Sequence, residues 1–270
     1  MNHVKLSIII VTFNSSRYIK DCLSSIEQCC NSISCEIWIS DNNSADDTIE
    51  IAKEFKRVKI LQHKENLGFA KANNLAVHRA KGEYVLLLNH DTILLDNLQP
   101  LLDLADHHLN AGAIGIKMVD GDKNYTLSVG RFPKPWQLIK LSSFREKREE
   151  FLSGDFKNPE VPRRVDWLTG AFLLTKREAY QKVGGLDEAY FMYVEDVDFC
   201  KKLSLSNKEI LFLPSLSFVH FVGFDKTREN LLLKGFEIYA KKFFSSAAYK
   251  LAKTCLNINY AVKKRFKGIR

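Results

Sequence analysis

The sequence predicts an α/β protein: a mostly parallel central sheet flanked by helices, with a basic helical extension at the C-terminus. Three observations carry this. Short apolar runs alternate with amphipathic helical stretches at βαβ spacing through the first ~110 residues. Each of the first four runs ends in, or leads to, polar or acidic residues. Charge is split along the chain: residues 226–270 hold 12 Lys+Arg and 2 Asp+Glu, a balance of +10 against +8 for all 270 residues, which leaves −2 for residues 1–225. The expected division is a catalytic-type domain over 1–225 and an amphipathic extension over 226–270.

The first strand is LSIIIVTF, residues 6–13. With one basic residue before it and no small-residue cleavage site after it, it reads as a strand and not as a signal peptide. SSRYIKDCLSSIEQC carries a helical stripe at Tyr18, Ile19, Cys22, Leu23 and Ile26. CEIWISDNNS is the second strand, and ADDTIEIAKEFK a helix with acidic residues in its first turn. RVKILQH is the third strand, FAKANNLAVHRA a helix ending near Gly82, and EYVLLLN the fourth strand. AGAIGIKMV reads as a further strand. Residues 131–165 read as a long loop with one short helix, SSFREKREEFL. VDWLTGAFLLTKREAYQKVGG is a strand and a helix closed by Gly184 and Gly185. VEDVDFCKKLS is a helix, and EILFLPSLSFVH the last strand region. From residue 229 the chain is helical, with one stripe at Leu232, Phe236, Tyr239 and Phe243 and another at Ile258, Val262, Phe266 and Ile269. Two readings of this extension stand side by side: a helical hairpin packed on the core, or an interfacial helix attracted to anionic lipid.

Composition narrows the function classes. Hydrophobic content of 46% suffices for a large core, and no apolar stretch approaches the ~20 residues needed to span a bilayer. The six cysteines (Cys22, Cys29, Cys30, Cys35, Cys200 and Cys255) form no CxxC pair, so reduced thiols in a cytoplasmic protein are expected. A main body with slightly negative charge argues against a nucleic-acid groove. The chain has neither GxGxxG nor GxxxxGK[ST], which argues against dinucleotide oxidoreductases and P-loop enzymes.

In an open parallel sheet, ligands bind at the carboxyl ends of the strands. Those ends carry Thr12-Phe13-Asn14, Asp41-Asn42-Asn43-Ser44, Asn66-Leu67-Gly68 and Asn89-His90-Asp91. Any one of them alone suits a turn or a helix cap; four on one edge suggest a site. Asp91 follows the buried run Tyr84–Leu88, where an unpaired carboxylate costs several kcal/mol, on the order of an ion's burial penalty. A hard cation such as Mn²⁺ or Mg²⁺, shared with a substrate diphosphate, offsets that cost. His220, between Val219 and Phe221, reads by itself as a core histidine. Glu195 and Asp196 read by themselves as an acidic helix start, although the preceding FMYV offers an environment that raises a carboxylate's pKa.

The segments SIIIVTFN, ISDNNSADDT, ENLGFAKANN, LLLNHDT, WLTGAFLLTKREAYQKVGGLDEAYFMYVEDVDFCKKL and FVHFVG resemble, in order and spacing, family 2 glycosyltransferases of the GT-A fold. The rhamnosyltransferase-like branch is the nearest in look, and the likeness covers roughly residues 5–225. The block from Trp167 to Leu203 is its most specific part. The resemblance implies a nucleotide pocket at Thr12, Asn14, Asp41, Asn43, Asn66, Gly68 and Asn73, with Asp41 accepting a hydrogen bond from the base. It implies a metal site at Asp91 with His220 and Asn89, and a base at Asp196 with Glu195 beside it. Trp167, Gly170 and Ala171 would line the sugar and acceptor pocket. Implied with these are Mn²⁺ or Mg²⁺, a dTDP- or UDP-sugar donor, a glycan or lipid-linked acceptor, inversion at the anomeric carbon, and a place in the cytoplasm or on the membrane's cytoplasmic face. Two positions depart from the pattern: His90 stands where many relatives have proline, and Ala72 where many have glycine. A nucleotidyltransferase, or a carbohydrate-binding protein on a decayed transferase fold, are the rival readings. The first lacks its glycine-rich basic loop here; the second sits poorly with the joint presence of Asp41, Asp91, Asp196 and His220.

Overall fold

The computed structural model describes residues 3–126, 128–144, 160–221 and 228–267. Four parallel strands open it: β1 (Leu6–Thr12), β2 (Cys35–Asp41), β3 (Val58–Gln62) and β4 (Tyr84–Asn89). Helices α1 (Ser16–Cys29), α2 (Thr48–Lys53) and α3 (Phe69–Arg79) connect them. Next come β5 (Thr92–Leu94), α4 (Gln99–His107), β6 (Ala111–Val119), β7 (Val129–Gly130), a 3₁₀ turn (Pro135–Ile139), β8 (Arg163–Val165), β9 (Trp167–Leu168) and β10 (Phe172–Lys176). Helices α5 (Arg177–Lys182) and α6 (Glu195–Leu205), strand β11 (Glu209–His220), and helices α7 (Arg228–Phe243) and α8 (Ser246–Lys267) complete the order.

The main sheet runs β3-β2-β1-β4-β10-β6-β11-β5, with β8 on β11. The pairs among β3, β2, β1 and β4 are parallel, as is β6 with β11; β10 is antiparallel to both β4 and β6. The β1 register sets Thr12 beside Asp41 and Val11 beside Asn89, so the polar strand ends fall on one edge. Two apolar layers sandwich the sheet. One, against α1 and α4, holds Ile8, Ile10, Leu23, Leu86 and Phe172. The other, against α3, α6 and α7, holds Ile9, Leu87, Phe199, Phe236 and Tyr239. Alternate residues of β1 and β4 thus feed opposite layers, as the period of two demands.

Several expectations are adjusted. Helix α2 starts at Thr48, because Asp46 turns back to accept from Ser16 N–H and from Thr48 N–H and Oγ; it stands ahead of the helix and not in its first turn. The apolar residues after Asp91 form β5, antiparallel to β11, which sets Asp91 in a tight turn between two strands. Residues 131–165 carry the 3₁₀ turn and β8; of the expected helix SSFREKREEFL, only Ser142–Phe144 are described, in a turn, and the rest lies outside the described residues. The stripe of α7 packs as expected, with Phe236 and Tyr239 buried. That of α8 does not: Ile258 and Val262 are exposed, and Ala252, Cys255, Leu256 and Asn259 are buried in their place. The reason is tertiary, since α8 is gripped by α7 and by the 3₁₀ turn, and those contacts choose its inner face. The side chain of Phe266, and Ile269 entirely, lie outside the described residues.

Candidate active site

A cavity of about 400 Å³ opens at the carboxyl edge of the sheet. Thr12 and Asn89 reach it from β1 and β4, His220 from β11, and Glu195 and Asp196 from the start of α6. Of the expected nucleotide residues, Thr12 and Asn66 line it directly, and so does Asn42, which the sequence reading did not select. Asp41 lies buried behind Thr12, where its Oδ1 accepts from Thr12 Oγ1 at 2.7 Å and its Oδ2 from Ser44 N–H at 3.0 Å. Asn14 and Asn43 occupy left-handed turns (φ 51° and 66°) that shape the rim, Asn14 Oδ1 accepting from Ala45 N–H. Neither Asp41, Asn14 nor Asn43 lines the cavity: Asp41 is buried behind Thr12, and Asn14 and Asn43 stand in left-handed turns. Asn73 is buried in α3 and donates to Phe69 O at 2.9 Å; it too lies off the cavity, held by its own helix. Ala72 is buried in the same helix, its carbonyl accepting from Ser40 Oγ at 2.8 Å.

Gly68 has a structural task. It sits at φ 80°, ψ 177°, a conformation essentially confined to glycine, and a Cβ there would lie 2.4 Å from Phe191 O. That close approach lets Phe69 N–H donate to Phe191 O at 2.7 Å and ties the start of α3 to the segment before Glu195.

At the metal position, His220 Nε2 lies 3.2 Å from both Asp91 Oδ1 and Asn89 Nδ2. Burial pushes the Asp91 carboxyl up, but the close approach of the His220 imidazole, with His90 beside it, outweighs this and holds the group below its ordinary value. Asp91 Oδ1 and His220 Nδ1 are buried without a well-formed hydrogen bond among the described residues. Among those residues no three His, Cys, Asp or Glu side chains converge. The donor set is therefore one carboxylate, one imidazole and one amide. This suits a hard cation that takes only one or two protein carboxylates and completes its shell with substrate phosphate and water. His90 also faces the cavity, and burial is the first cause that keeps its imidazole below its ordinary pKa, which favours the neutral ring.

At the opposite wall, Tyr193 and Val194 both adopt left-handed conformations (φ 71° and 74°) immediately before α6. Such strain at non-glycine residues, one of them β-branched, costs about 1–3 kcal/mol each and persists only when surroundings enforce it. Helix α7 is that surrounding: a Cβ on Gly235 would meet Val194 Cγ2 at 2.8 Å and Tyr193 O at 2.9 Å. The turn aims both carboxylates. Asp196 Oδ2 accepts from Gly170 N–H and Oδ1 from Val197 N–H, each at 2.8 Å. Glu195 is buried and its Oε2 has no hydrogen-bond partner among the described residues; burial first, then the charge of Asp196, pushes its carboxyl well above the ordinary range. Trp167, Gly170 and Ala171 line the cavity as expected. Leu141, Phe144, Leu232 and Phe236 also do, and sequence reasoning missed them. The α7 stripe was the only available signal for the last two, and a stripe does not say which wall it covers.

Residues 7–184 match the family model described as "Glycosyl transferase family 2". The chain belongs to this family. The matched stretch ends before Glu195, Asp196 and His220, and the geometry above joins those residues to the matched part of the fold. The chain is 27% identical over 249 residues to an N-acetylglucosaminyl-diphospho-decaprenol L-rhamnosyltransferase of Mycobacterium tuberculosis, covering 80% of this chain and 75% of that protein. It is 29% identical over 199 residues to the rhamnosyltransferase WbbL of Escherichia coli K12, covering 68% and 71%. Among solved structures, GalNAc-T7 with UDP, GalNAc and Mn²⁺ superposes with a TM-score of 0.67 at 16% identity, over 98% of this chain and 58% of that one. Staphylococcus aureus TarS 1-349 does so at 0.61 and 18% identity, over 97% and 74%. These two likenesses concern the GT-A fold. The protein is a family 2 glycosyltransferase, and the two curated relatives named here are rhamnosyltransferases.

Proposed function

We propose that this family 2 glycosyltransferase is inverting and divalent-cation-dependent. In this reading it moves a sugar from a dTDP- or UDP-linked donor, dTDP-rhamnose foremost, to a hydroxyl of a glycan or lipid-linked saccharide in cell-surface polysaccharide synthesis. The observation that carries the reading is that one cavity holds both the Asp91–His220 pair and the Glu195–Asp196 pair. The printed names of the two rhamnosyltransferase relatives support the donor sugar, and the decaprenol-linked substrate in the first name supports the acceptor class. Solved neighbours carrying Mn²⁺ beside UDP or GDP-Man support the cation. The reading places the protein in the cytoplasm, peripheral on the membrane, with the basic extension toward anionic lipid.

Asp91, His220 and Asn89 would hold Mn²⁺ or Mg²⁺; when bound, the cation neutralises the diphosphate and stabilises it as a leaving group. Thr12, Asn42 and Asn66 bind the nucleotide end, and Trp167, Gly170 and Ala171 bound the sugar. The acceptor oxygen attacks the anomeric carbon as the bond to the diphosphate oxygen breaks on the opposite face. The hydroxyl proton passes to Asp196, whose two oxygens are already oriented by the Gly170 and Val197 N–H groups. The rate gain comes mainly from positioning and from charge stabilisation at the leaving group. A panel of nucleotide sugars, scored by release of nucleoside diphosphate, tests the donor. Asp196→Asn is expected to lower kcat by roughly 10²–10⁴-fold with unchanged nucleoside diphosphate Kd. Loss of diphosphate affinity with kcat intact would move the base elsewhere.

A further inference from the structure

Helix α8 has three distinct flanks. At 100° per residue, Tyr249, Lys253 and Lys263 fall on one side, where they hold α7 through Glu237 and Glu229. Ala252, Cys255, Leu256 and Asn259 form the buried floor. Leu251, Ile258 and Val262 fall on the other side and are 47%, 43% and 50% exposed. The floor rests on the 3₁₀ turn, where Asn259 Nδ2 donates to Ile139 O at 2.8 Å. Trp136 and Ile139 of that turn are themselves 57% and 47% exposed. Two elements more than a hundred residues apart therefore bring five large apolar side chains into solvent where they join.

The two elements themselves carry charge of one sign. Between Ser246 and Lys267 stand Lys250, Lys253, Lys263, Lys264, Arg265 and Lys267, with no Asp or Glu; residues 131–144 add Arg131, Lys134 and Lys140, again with no acid. Lys134 Nζ lies 5.5 Å from the Trp136 ring centre. No helix among the described residues is long and apolar enough to cross a membrane. An indole and aliphatic side chains beside the lysines and arginine that α7 does not pair (Lys250, Lys264, Arg265, Lys134 and Lys140), with Lys253 and Lys263 spent on Glu237 and Glu229, match the interface of an anionic bilayer, where the rings and chains sink to headgroup depth and the lysines meet phosphate. The position also matters. Leu141 and Phe144, just beyond the 3₁₀ turn, and Leu232 and Phe236, from the helix that grips α8, line the catalytic cavity.

We propose that the junction of α8 with the Trp136 turn is a docking face for anionic lipid headgroups, and that it sets the apolar wall of the cavity toward the bilayer, from which a lipid-linked acceptor enters. Docking itself is independent of the reaction; the direction of acceptor entry rests on the glycosyltransferase reading above.

The test is sedimentation of the full chain with vesicles of phosphatidylcholine alone or mixed with phosphatidylglycerol, without donor or acceptor. The expected result is binding to the mixed vesicles only, weakening as salt rises from low to physiological strength. Trp136→Ser with Ile258→Ser and Val262→Ser should weaken partitioning at least ~10-fold, since it removes most of the buried apolar area. Lys250→Glu with Lys264→Glu should remove much of the salt-dependent part, about fivefold per lysine. Both variants keep donor hydrolysis, because none of these residues lines the cavity, and that readout separates lost docking from lost folding. Failure of the intact protein to bind mixed vesicles at low salt, or parental binding by both variants, overturns the proposal. A concentration-dependent dimer abolished by the Trp136 set would instead assign the face to a second copy and overturn it as well. If the protein docks but Asp196→Asn keeps full turnover, the docking stands and the catalytic reading falls.

Discussion

Lys242→Met should destabilise the protein through a carboxylate that never meets solvent. Asp198, two residues beyond Asp196 on α6, is 0% exposed. Its Oδ2 accepts from Lys242 Nζ at 2.7 Å and from Tyr190 OH at 3.1 Å, and its Oδ1 accepts from the same Nζ at 3.0 Å. Lys242 comes from α7 and also pairs with Asp187 at 2.7 Å. Removing one partner of a buried ion pair costs about 3–5 kcal/mol, because the remaining charge is left uncompensated. Two features pull the figure to the lower end. Lys202 Nζ remains 3.7 Å from Asp198 Oδ1, and the Lys242 side chain is 33% exposed. The expected loss is therefore ~3 kcal/mol, or a Tm drop of roughly 6–12 °C for a chain of this size. Urea unfolding and thermal melts measure it. Adding Asp198→Asn should recover at least half of the loss, since the fully buried carboxylate is then replaced by a neutral amide and only the partly exposed Lys202 loses its countercharge. Lys242→Arg should stay near the parent. In the folded fraction of Lys242→Met, kcat should fall more than nucleoside diphosphate affinity, because α6 carries the base and not the diphosphate site. A loss under ~1 kcal/mol, or a double variant no better than the single, would refute the view that α7 neutralises α6.

Three further outcomes follow from the same geometry. Glu195 has a raised carboxyl pKa, so below its ordinary value of 4.5 it is protonated whether folded or unfolded. As pH rises past that value the unfolded chain ionises first and the native state loses stability, so Glu195→Gln should gain on the parent between pH 5 and 8 and match it below pH 4; a pH-independent difference in urea midpoints would mean that the native carboxyl is ionised. Gly68→Ala forces a glycine-only conformation and a contact with Phe191 O, so a loss of about 2–4 kcal/mol is expected, with kcat reduced through the displaced 191–196 segment; a parental melt would contradict this. EDTA should abolish turnover and Mn²⁺ restore it, while His220→Ala should weaken the Mn²⁺ titration by ~10-fold or more; unchanged titration would return His220 to a packing role.

The alternation of apolar runs and helical stripes determined the parallel core of this protein by itself, because strand and helix periods are local and the buried run Tyr84–Leu88 admits few other uses. The polar ends of β1, β2 and β4 were legible for the same reason: register follows from the period of two. Resemblance along Trp167–Leu203 points to Asp196 from the sequence alone. What the chain order could not fix was which polar residue at a strand end turns inward. Asn42 and not Asn43 faces the cavity, because Asn43 is spent on a left-handed turn. Nor could it place α7 against the Tyr193–Val194 turn, or choose Ala252, Cys255, Leu256 and Asn259 over Ile258 and Val262 as the inner face of α8. Both helices have apolar residues on more than one side, so their own sequences permit several orientations. The choice falls to contacts remote in the chain: Glu229 and Glu237 of α7 on Lys263 and Lys253, Ile139 on Asn259, and Lys242 on the buried Asp198.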